Sequence, residues 1–494
     1  MAAGPEGTAQ PFATWLSTNM APVMFVALVT LLIAGYPVAF TLAGVGLLFA
    51  VIGISLGLFR PDFLNALPER VLGVMNSEIL LAIPFFTFMG MILERSGLAE
   101  DLLETMGQLF GPVRGGLGYA VIFVGALLAA MTGVVAASVI SMGLISLPIM
   151  MRHGYDRPLA AGVITASGTL AQVIPPGIVL IVLADQLSVS VIDIFAAALR
   201  PAALLALLYA LYVFAVSIVK PSAMPAVPAK ISGARLARRV LLAMLPPLAL
   251  MLLVLGTIFF GVATPTEGGA MGAGGALLLA LAKRRLSLGL LRQATQRTAR
   301  LASFAIFILI GSRVFSLTFF GVNGHKWVEG LLIALPGGAT GFLLFVNALI
   351  FVLAFFLEFF EIAFILVPLI ASAAVKLGID LVWLAVLIGV NIQTSFMHPP
   401  FGYSLFYLRS VAPEEPYRDR VTGKIIAPLT TLDIYWGAVP FVILQVVMVI
   451  AIIAWPGLVS RGGEVTRPAA EGQSQQERID RLDQEFGPAA LPQR

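Results

Sequence analysis

Apolar runs long enough to cross hydrocarbon follow one another along most of the chain, separated by short joints of Gly, Pro and basic residues. The first two, residues 20–35 and 36–59, meet at Gly35-Tyr36-Pro37 and predict a hairpin of membrane helices. A polar stretch, residues 60–70, leads to residues 77–97, where Glu78 and Pro84 interrupt the apolar run and Glu94-Arg95 closes it, so this segment is not expected to be a simple span. Residues 98–110 read as an amphipathic helix at the membrane interface. At roughly 20 residues per crossing, the apolar runs amount to about a dozen spans, with some segments entering and turning back.

Two later runs match each other. Residues 148–183 and 368–408 each hold a Gly-x-Asp turn (Gly154-Tyr155-Asp156 and Gly378-Ile379-Asp380), followed 19 positions after the Asp by a proline pair (Pro175-Pro176 and Pro399-Pro400). Asp193 and Asp433 open a further pair of matching stretches, with about 16 extra residues, 413–428, inserted in the second copy. Several marks in the same order predict internal duplication. A proline pair inside lipid removes backbone donors and releases carbonyls from the helix ladder. A membrane tolerates that only inside protein or beside a wet cavity, so paired breaks in two halves point to a transporter site. The plainer alternative is a pair of kinks that only shape the bundle.

Charge then divides the chain. The joint at 220–240 carries Lys220, Lys230, Arg235, Arg238 and Arg239 without an acid, and residues 283–300 add six more basic side chains, so the positive-inside rule puts both in the cytoplasm. No Lys or Arg precedes Tyr36, which suits an outside N-terminus and makes the halves inverted relative to each other. The expected organisation is a first inverted repeat at 1–219, a basic cytoplasmic linker at 220–240, a second repeat at 241–455, and a polar, disordered tail at 456–494. The N-terminal residues lack the basic region of a cleaved signal peptide, so the run from Met20 is expected to be retained as a span.

Composition agrees and excludes. With 59% hydrophobic and 11% charged residues, the 494-residue chain has too little polar surface for a soluble globule. Its net charge of +4 is a topology signal and not a nucleic-acid footprint, and the absence of cysteine removes disulfides and thiolate metal sites. The fold class is therefore an all-α polytopic membrane protein with re-entrant hairpins and broken helices. Its setting is the lipid bilayer.

Within the apolar segments, ionisable groups are the functional candidates. Arg313 adjoins Gly311-Ser312, where the helix is expected to break; it either holds a substrate carboxylate or serves a structural ion pair or interfacial snorkel. Glu358 and Glu361, three apart, are expected on one helical face, as cation or proton ligands or as folding partners for Arg313. His398, before the second proline pair, either titrates or is a hydrogen-bonded core residue. Around the breaks lie Thr165, Ser167, Thr169 and Gln172, then Asn391, Gln393, Thr394 and Ser395. Such neutral oxygens, with released carbonyls, suit a desolvated sodium ion; helix packing through small residues is the alternative. An intramembrane aspartyl protease would need Asp156 and Asp380, but both sit at Gly-bearing turns where elements end, and neither HExxH nor GxSxG occurs, so the chain is not expected to be an enzyme.

At this point the residues resemble the large membrane permease (M-type) subunit of tripartite ATP-independent periplasmic (TRAP) transporters, over about residues 20 to 455. The resemblance rests on LLAIPFFTFMGMI, GLISLPIMMRHGYDRPLAAGVITASGTLAQVIPPGI, GVATPTEGGAMGA and GIDLVWLAVLIGVNIQTSFMHPPFGYSLFYL, with FFLEFFEI, SRVFSLTFF and FGYSLFYLR resembling the branch associated with mannitol and chloroaromatic acids. It implies an elevator mechanism, sodium as coupling ion with no other cofactor, a small four-helix Q-type membrane subunit, and a periplasmic binding protein delivering an organic acid, all in the bacterial inner membrane. A stand-alone ion-coupled anion carrier is the alternative. By the resemblance, sodium is expected at Ala82 to Pro84, Thr132-Gly133, Gly311 and the proline-pair regions, including Thr169, Pro175, Glu358, Thr394 and Pro399. Substrate is expected at Arg313, Ser312, Gln172, Asn391 and His398. Three positions depart from the family pattern: Thr132-Gly133-Val134 stands where many members have Ser-Gly-Ser, His398 where many have Thr, and Glu358 where many have Asp.

Overall fold

The computed structural model describes residues 13–228, 233–419 and 421–459. The tail expected at 456–494 lies, beyond Val459, outside the described residues, as do residues 229–232 of the basic linker. Helices α1 (Met20–Ile33) and α2 (Val38–Ser55) form the first hairpin, turned by Gly35 at φ +84°. Next come α3 (Leu67–Met75) and α4 (Glu78–Arg95), with a 44° bend at the break between Pro61–Met75 and Glu78–Arg95, while Pro84 sits within the continuous α4. Ser77 caps α4 by accepting from the Leu80 amide. The amphipathic α5 (Leu98–Phe110) spans the residues expected of it.

A hairpin follows, α6 (Gly116–Thr132) and α7 (Val135–Arg152), then α8 (Arg157–Thr169), a tight turn over Leu170–Gln172, the cis pair Pro175-Pro176, α9 (Ile178–Gln186) and the long α10 (Val191–Val219). After the linker, α11 (Ala234–Phe259), α12 (Pro265–Ala282) and α13 (Leu288–Gly321) lead to α14 (Gly324–Ile333) and α15 (Gly338–Leu353), bent 115° from each other. Then come α16 (Phe359–Lys376), α17 (Leu381–Ser395), the cis pair Pro399-Pro400, α18 (Tyr403–Arg409) and α19 (Thr431–Ala454).

The matched marks of the sequence are helix boundaries. Gly154 and Gly378 close α7 and α16 at φ +79° and +70°, conformations that favour glycine. Asp156 and Asp380 cap α8 and α17, accepting from the amides of Leu159 and Trp383 at 3.1 and 2.7 Å. Asp193 and Asp433 are third residues of α10 and α19, whose caps are Ser190 and Thr430. The insertion at 413–428 forms a small antiparallel hairpin, β1 (Tyr417–Arg418) with β2 (Ile425–Ile426), clasped to α7 by Arg152 and Asp419 at 2.8 Å.

Among the described residues seven helices are long and apolar enough to cross a membrane, or up to nine with each bent pair counted once, against about a dozen expected. The apolar α1, α6 and α17, of 14, 17 and 15 residues, are shorter than a full crossing of about 20 residues and make up the difference.

Close crossings lock the bundle. A Cβ on Gly162 would fall 2.0 Å from the Gly437 carbonyl oxygen, and one on Gly437 would fall 1.9 Å from that of Pro158, so α8 and α19 touch backbone to backbone. The same holds for α13 on α2, where a Cβ on Gly311 would lie 2.4 Å from Ala39 O. This corrects the expected break at Gly311-Ser312: α13 runs unbroken through it, and the glycine is there for close approach. The irregular backbone lies opposite, in the π-turn Ile362–Leu366, where the Ser312 hydroxyl donates to the Phe364 carbonyl at 2.5 Å.

Candidate transport site

The first break is an oxygen-rich corner. A Cβ on Gly177 would meet the carbonyl oxygens of Ala171, Ile174 and Gln172 at 2.9, 3.2 and 3.4 Å, so three main-chain acceptors converge beside the cis proline pair. The tip of the α6–α7 hairpin abuts them. Gly133, at φ +59°, would place a Cβ 3.4 Å from the Pro176 carbonyl oxygen, and Thr132 next to it pairs with Ser138 at 3.1 Å between hydroxyls.

The second break is lined by different groups. Here Phe351, in the last turn of α15, and Phe355, in the turn after it, pack onto His398 with ring centroids at 4.1 and 4.4 Å. His398 is buried and neither ring nitrogen has a hydrogen-bond partner, so it is not the hydrogen-bonded core residue that was one of its two readings. Glu358 and Glu361 do not share a helical face. Glu358 is the cap residue of α16, and Glu361 turns back so that its carboxylate accepts from the Glu358 amide at 2.8 Å. Asn391 donates to the carbonyl and side-chain oxygens of Asn347 at 2.8 and 3.0 Å, tying α17 to α15.

The two broken segments meet. Gln393 donates to the Thr169 hydroxyl at 3.3 Å, and each residue stands six positions before its own proline pair; both pairs of positions are 224 apart in the chain. A contact between equivalent positions is what a pseudo-two-fold axis produces. Gln445 of α19 reaches the same Thr169 oxygen at 3.4 Å and Tyr209 OH at 2.9 Å.

Arg313 lies elsewhere. It lines a cavity of about 280 Å³ with Arg70, Ser77 and Asp185, walled by Val74, Leu80 and Leu309. Asp185 is at the far end of α9 and accepts from Ser77 at 3.2 Å, so the cavity joins α9 to α3, α4 and α13.

Comparison with known proteins decides the family. The family model described as the DctM component of the tripartite ATP-independent periplasmic transporter matches residues 25–458. The chain belongs to this family. The permease is 31% identical to a C4-dicarboxylate TRAP transporter large permease protein of Pseudomonas aeruginosa, over 72% of this chain and 83% of that protein. It is 25% identical to a sialic acid TRAP transporter permease of Haemophilus influenzae, over 91% and 69%, and 26% identical to an ectoine/5-hydroxyectoine large permease of Ruegeria pomeroyi, over 82% and 92%. In fold it resembles the crystal structure of the Alcanivorax borkumensis YdaH transporter, with a TM-score of 0.54 at 14% identity, covering 79% of this chain and 87% of that one. It is a bacterial inner-membrane protein of the TRAP large-subunit type.

The candidate residues of the permease fall into separate places. Thr132, Gly133, Gln172 and Pro175 gather at the first break, and Glu358, His398 and Pro399 belong to the second. Thr394 hydrogen-bonds back to the Asn391 carbonyl at 2.6 Å. Ala82 and Pro84 lie inside α4 and not at a hairpin tip, and Gly311 and Ser312 serve helix packing. Arg70, Asp185, Asn347, Tyr209 and Gln445 were not singled out from sequence. Asp185, a carboxylate inside an apolar run, carried the one signal that could have found it.

Proposed function

We propose that this permease imports an organic carboxylate in symport with sodium, receiving it from a periplasmic binding protein and working with a small Q-type membrane subunit. The observation that carries this reading is the contact between Thr169 and Gln393, equivalent residues of two proline-broken helices, with the α6–α7 hairpin tip against the first break. Family membership supports the partners, and the relatives' names support transport rather than catalysis. The two halves, 1–219 and 241–455, act as inverted repeats around the linker at 220–240, and the broken helices with their hairpins move as the carrier in an elevator-type step.

Sodium is the coupling ion on this reading because the first break offers neutral carbonyl oxygens. Among the described residues no group of three or more His, Asp or Glu could hold a metal ion. The substrate is a carboxylate on this reading because Arg70 and Arg313, two guanidinium groups able to engage a carboxylate, line one cavity with Ser77 and Asp185. Uptake into proteoliposomes holding the permease, its small subunit and the loaded binding protein tests the proposal. Accumulation of unchanged substrate should require an inward sodium gradient. Full accumulation in sodium-free buffer under a pH gradient would overturn the coupling, and uptake without the binding protein would favour a stand-alone carrier.

A further inference from the structure

We infer that Glu94 of α4 is a positioning residue for the transport step: its hydrogen bond with Ser141 of the α6–α7 hairpin holds the carrier in a position displaced toward the cytoplasm. The inference rests on the elevator-type reading above and adds the residues that fix one end of the travel.

Two packed units face each other here. On one side α4 lies along α12, where a Cβ on Gly269 would sit 3.0 Å from Phe85 Cβ and one on Gly272 would sit 2.5 Å from Met89 Sδ. On the other side the hairpin lies along α8, where a Cβ on Gly125 would sit 2.5 Å from Ser167 Cβ and one on Gly168 would sit 2.3 Å from Val139 Cγ2. Across the seam, a Cβ on Gly90 would fall 2.5 Å from Thr132 Cα, so the hairpin tip touches α4 backbone to backbone. One turn further along α4, the Ser141 hydroxyl donates to Glu94 Oε1 at 3.1 Å. Residues four apart share a helical face, so both contacts belong to one stripe of α4.

The level of that stripe gives the direction of the displacement. The basic stretch 283–300, which the charge pattern puts in the cytoplasm, meets the end of α4 and the start of α5. There Arg285 donates to the Ser96 carbonyl at 3.0 Å, and Lys283 pairs with Asp101 at 2.7 Å. The Arg95 end of α4 is therefore the cytoplasmic one. Gly90 stands about 7.5 Å from it along the axis, at 1.5 Å per residue. The hairpin tip abuts the first proline break, in the middle of the carrier, yet it meets the cytoplasmic third of α4.

Among the described residues Ser141 is the one hydrogen-bond partner of the Glu94 carboxylate, whose Oε2 is buried and has none. Arg95 and Arg297 also act on this charge, but they belong to α4 itself and to α13 packed beside it, so their attraction does not depend on where the hairpin stands. Sliding the hairpin along α4 takes away the hydroxyl and leaves a buried carboxylate without a hydrogen bond, which is unfavourable. The bond thus favours this position over others along the helix. Gly90 permits it, because the tip cannot come so close past a side chain.

The test is a distance distribution from pulsed electron paramagnetic resonance on the permease with its small subunit in lipid nanodiscs. Spin labels go on cysteines replacing the exposed Leu207 of α10 and Leu278 of α12, one on each unit of this cysteine-free chain. Wild type should show two distances whose ratio changes when sodium and the loaded binding protein are added. Ser141→Ala and Glu94→Leu should each lower the cytoplasm-displaced population about tenfold or more relative to the other. Glu94→Gln, which keeps an acceptor oxygen, should fall between them and wild type. Gly90→Ala should deplete the same population, while Gly274→Ala on α12, with nothing within 4 Å, should not. Should Glu94→Leu fail to fold, Ser141→Ala, which removes a single oxygen, decides. Distances that move in wild type, with ratios in Ser141→Ala and Glu94→Leu equal to wild type, would overturn this inference alone, even if their melting temperatures fell. A wild-type distance that never moves would overturn the elevator-type reading and this inference with it.

Discussion

Replacing Arg313 gives the sharpest test of the proposed substrate cavity. The side chain is only 9% exposed and faces a cavity of about 280 Å³ that it shares with Arg70, Ser77 and Asp185. Arg313→Ala removes one of the two guanidinium groups that line the cavity, and the loss of a desolvated charged contact is on the order of 2 to 5 kcal/mol, or roughly thirty-fold or more in affinity. Arg313→Lys keeps the charge but loses the two-pronged donor pair that matches a carboxylate, so it should fall between alanine and wild type. The assay is initial uptake into proteoliposomes over a range of loaded binding protein, with insertion and small-subunit binding confirmed for each variant. The structure also names the competitor. Asp185 lines the same cavity, whereas the Glu361 carboxylate is turned back onto the Glu358 amide, so a purely structural role for Arg313 would be to balance Asp185. Recovery of uptake in Arg313→Ala combined with Asp185→Asn would mean that Arg313 serves only that balance, and the substrate assignment would be refuted.

Further expectations follow from the packing and the turns. In the cysteine-free chain, Thr169→Cys with Gln393→Cys should be joined by a short bifunctional thiol reagent, so that cleavage at a protease site engineered into the 220–240 linker leaves the halves together on a gel; separated halves would refute the contact. Gly437→Ala forces a Cβ to 1.9 Å from the Pro158 carbonyl oxygen and should destabilise the purified protein by about 1 to 3 kcal/mol or more, while Gly256→Ala, with nothing within 4 Å, should not; equal melting temperatures would refute the backbone crossing. Hydrogen bonds from Arg152 and Thr422 hold the Asp419 carboxyl well below the usual carboxylate range. A depressed folded-state pKa stabilises above the ordinary range and is lost only as pH falls through the depressed value. Hydrogen exchange across 417–426 should therefore stay slow well below about pH 4, where an ordinary Asp protonates, and become fast at neutral pH in Asp419→Asn; wild-type opening near that pH would contradict the clasp.

The sequence revealed those parts of the fold that are governed by local chemistry. A Gly-x-Asp joint reads as a turn because glycine takes the left-handed position and aspartate caps the next helix, and both copies do so here. A proline pair reads as a break because neither residue can donate, and both pairs break a helix. Gly311-Ser312 misled because a glycine that ends a helix and a glycine that lets two helices touch look alike in one chain; only the neighbour, Ala39, tells them apart. Arg70 and Asp185 escaped notice as a pair because they stand more than a hundred residues apart and meet only when α9 packs beside α3 and α4. Apolar content alone does not say whether a segment crosses the bilayer or turns back inside it, so the sequence could not separate the two bent pairs from the straight spans.

The two breaks share a register along the chain and differ in their chemistry. The Gln172 carbonyl converges with those of Ala171 and Ile174 on Gly177. Its counterpart 224 positions on, the Phe396 carbonyl, is instead taken up by Ser404, whose amide donates to it at 3.0 Å and whose hydroxyl also hydrogen-bonds it. What the second break presents toward its own hairpin is His398, stacked on Phe355 and edge-on to Phe351. On the proposed reading the coupling cation takes the carbonyl oxygens of the first half, while the second half closes its break with aromatic faces and an imidazole. The contact of Thr169 with Gln393 at their junction is where occupancy of one break can bear on the other.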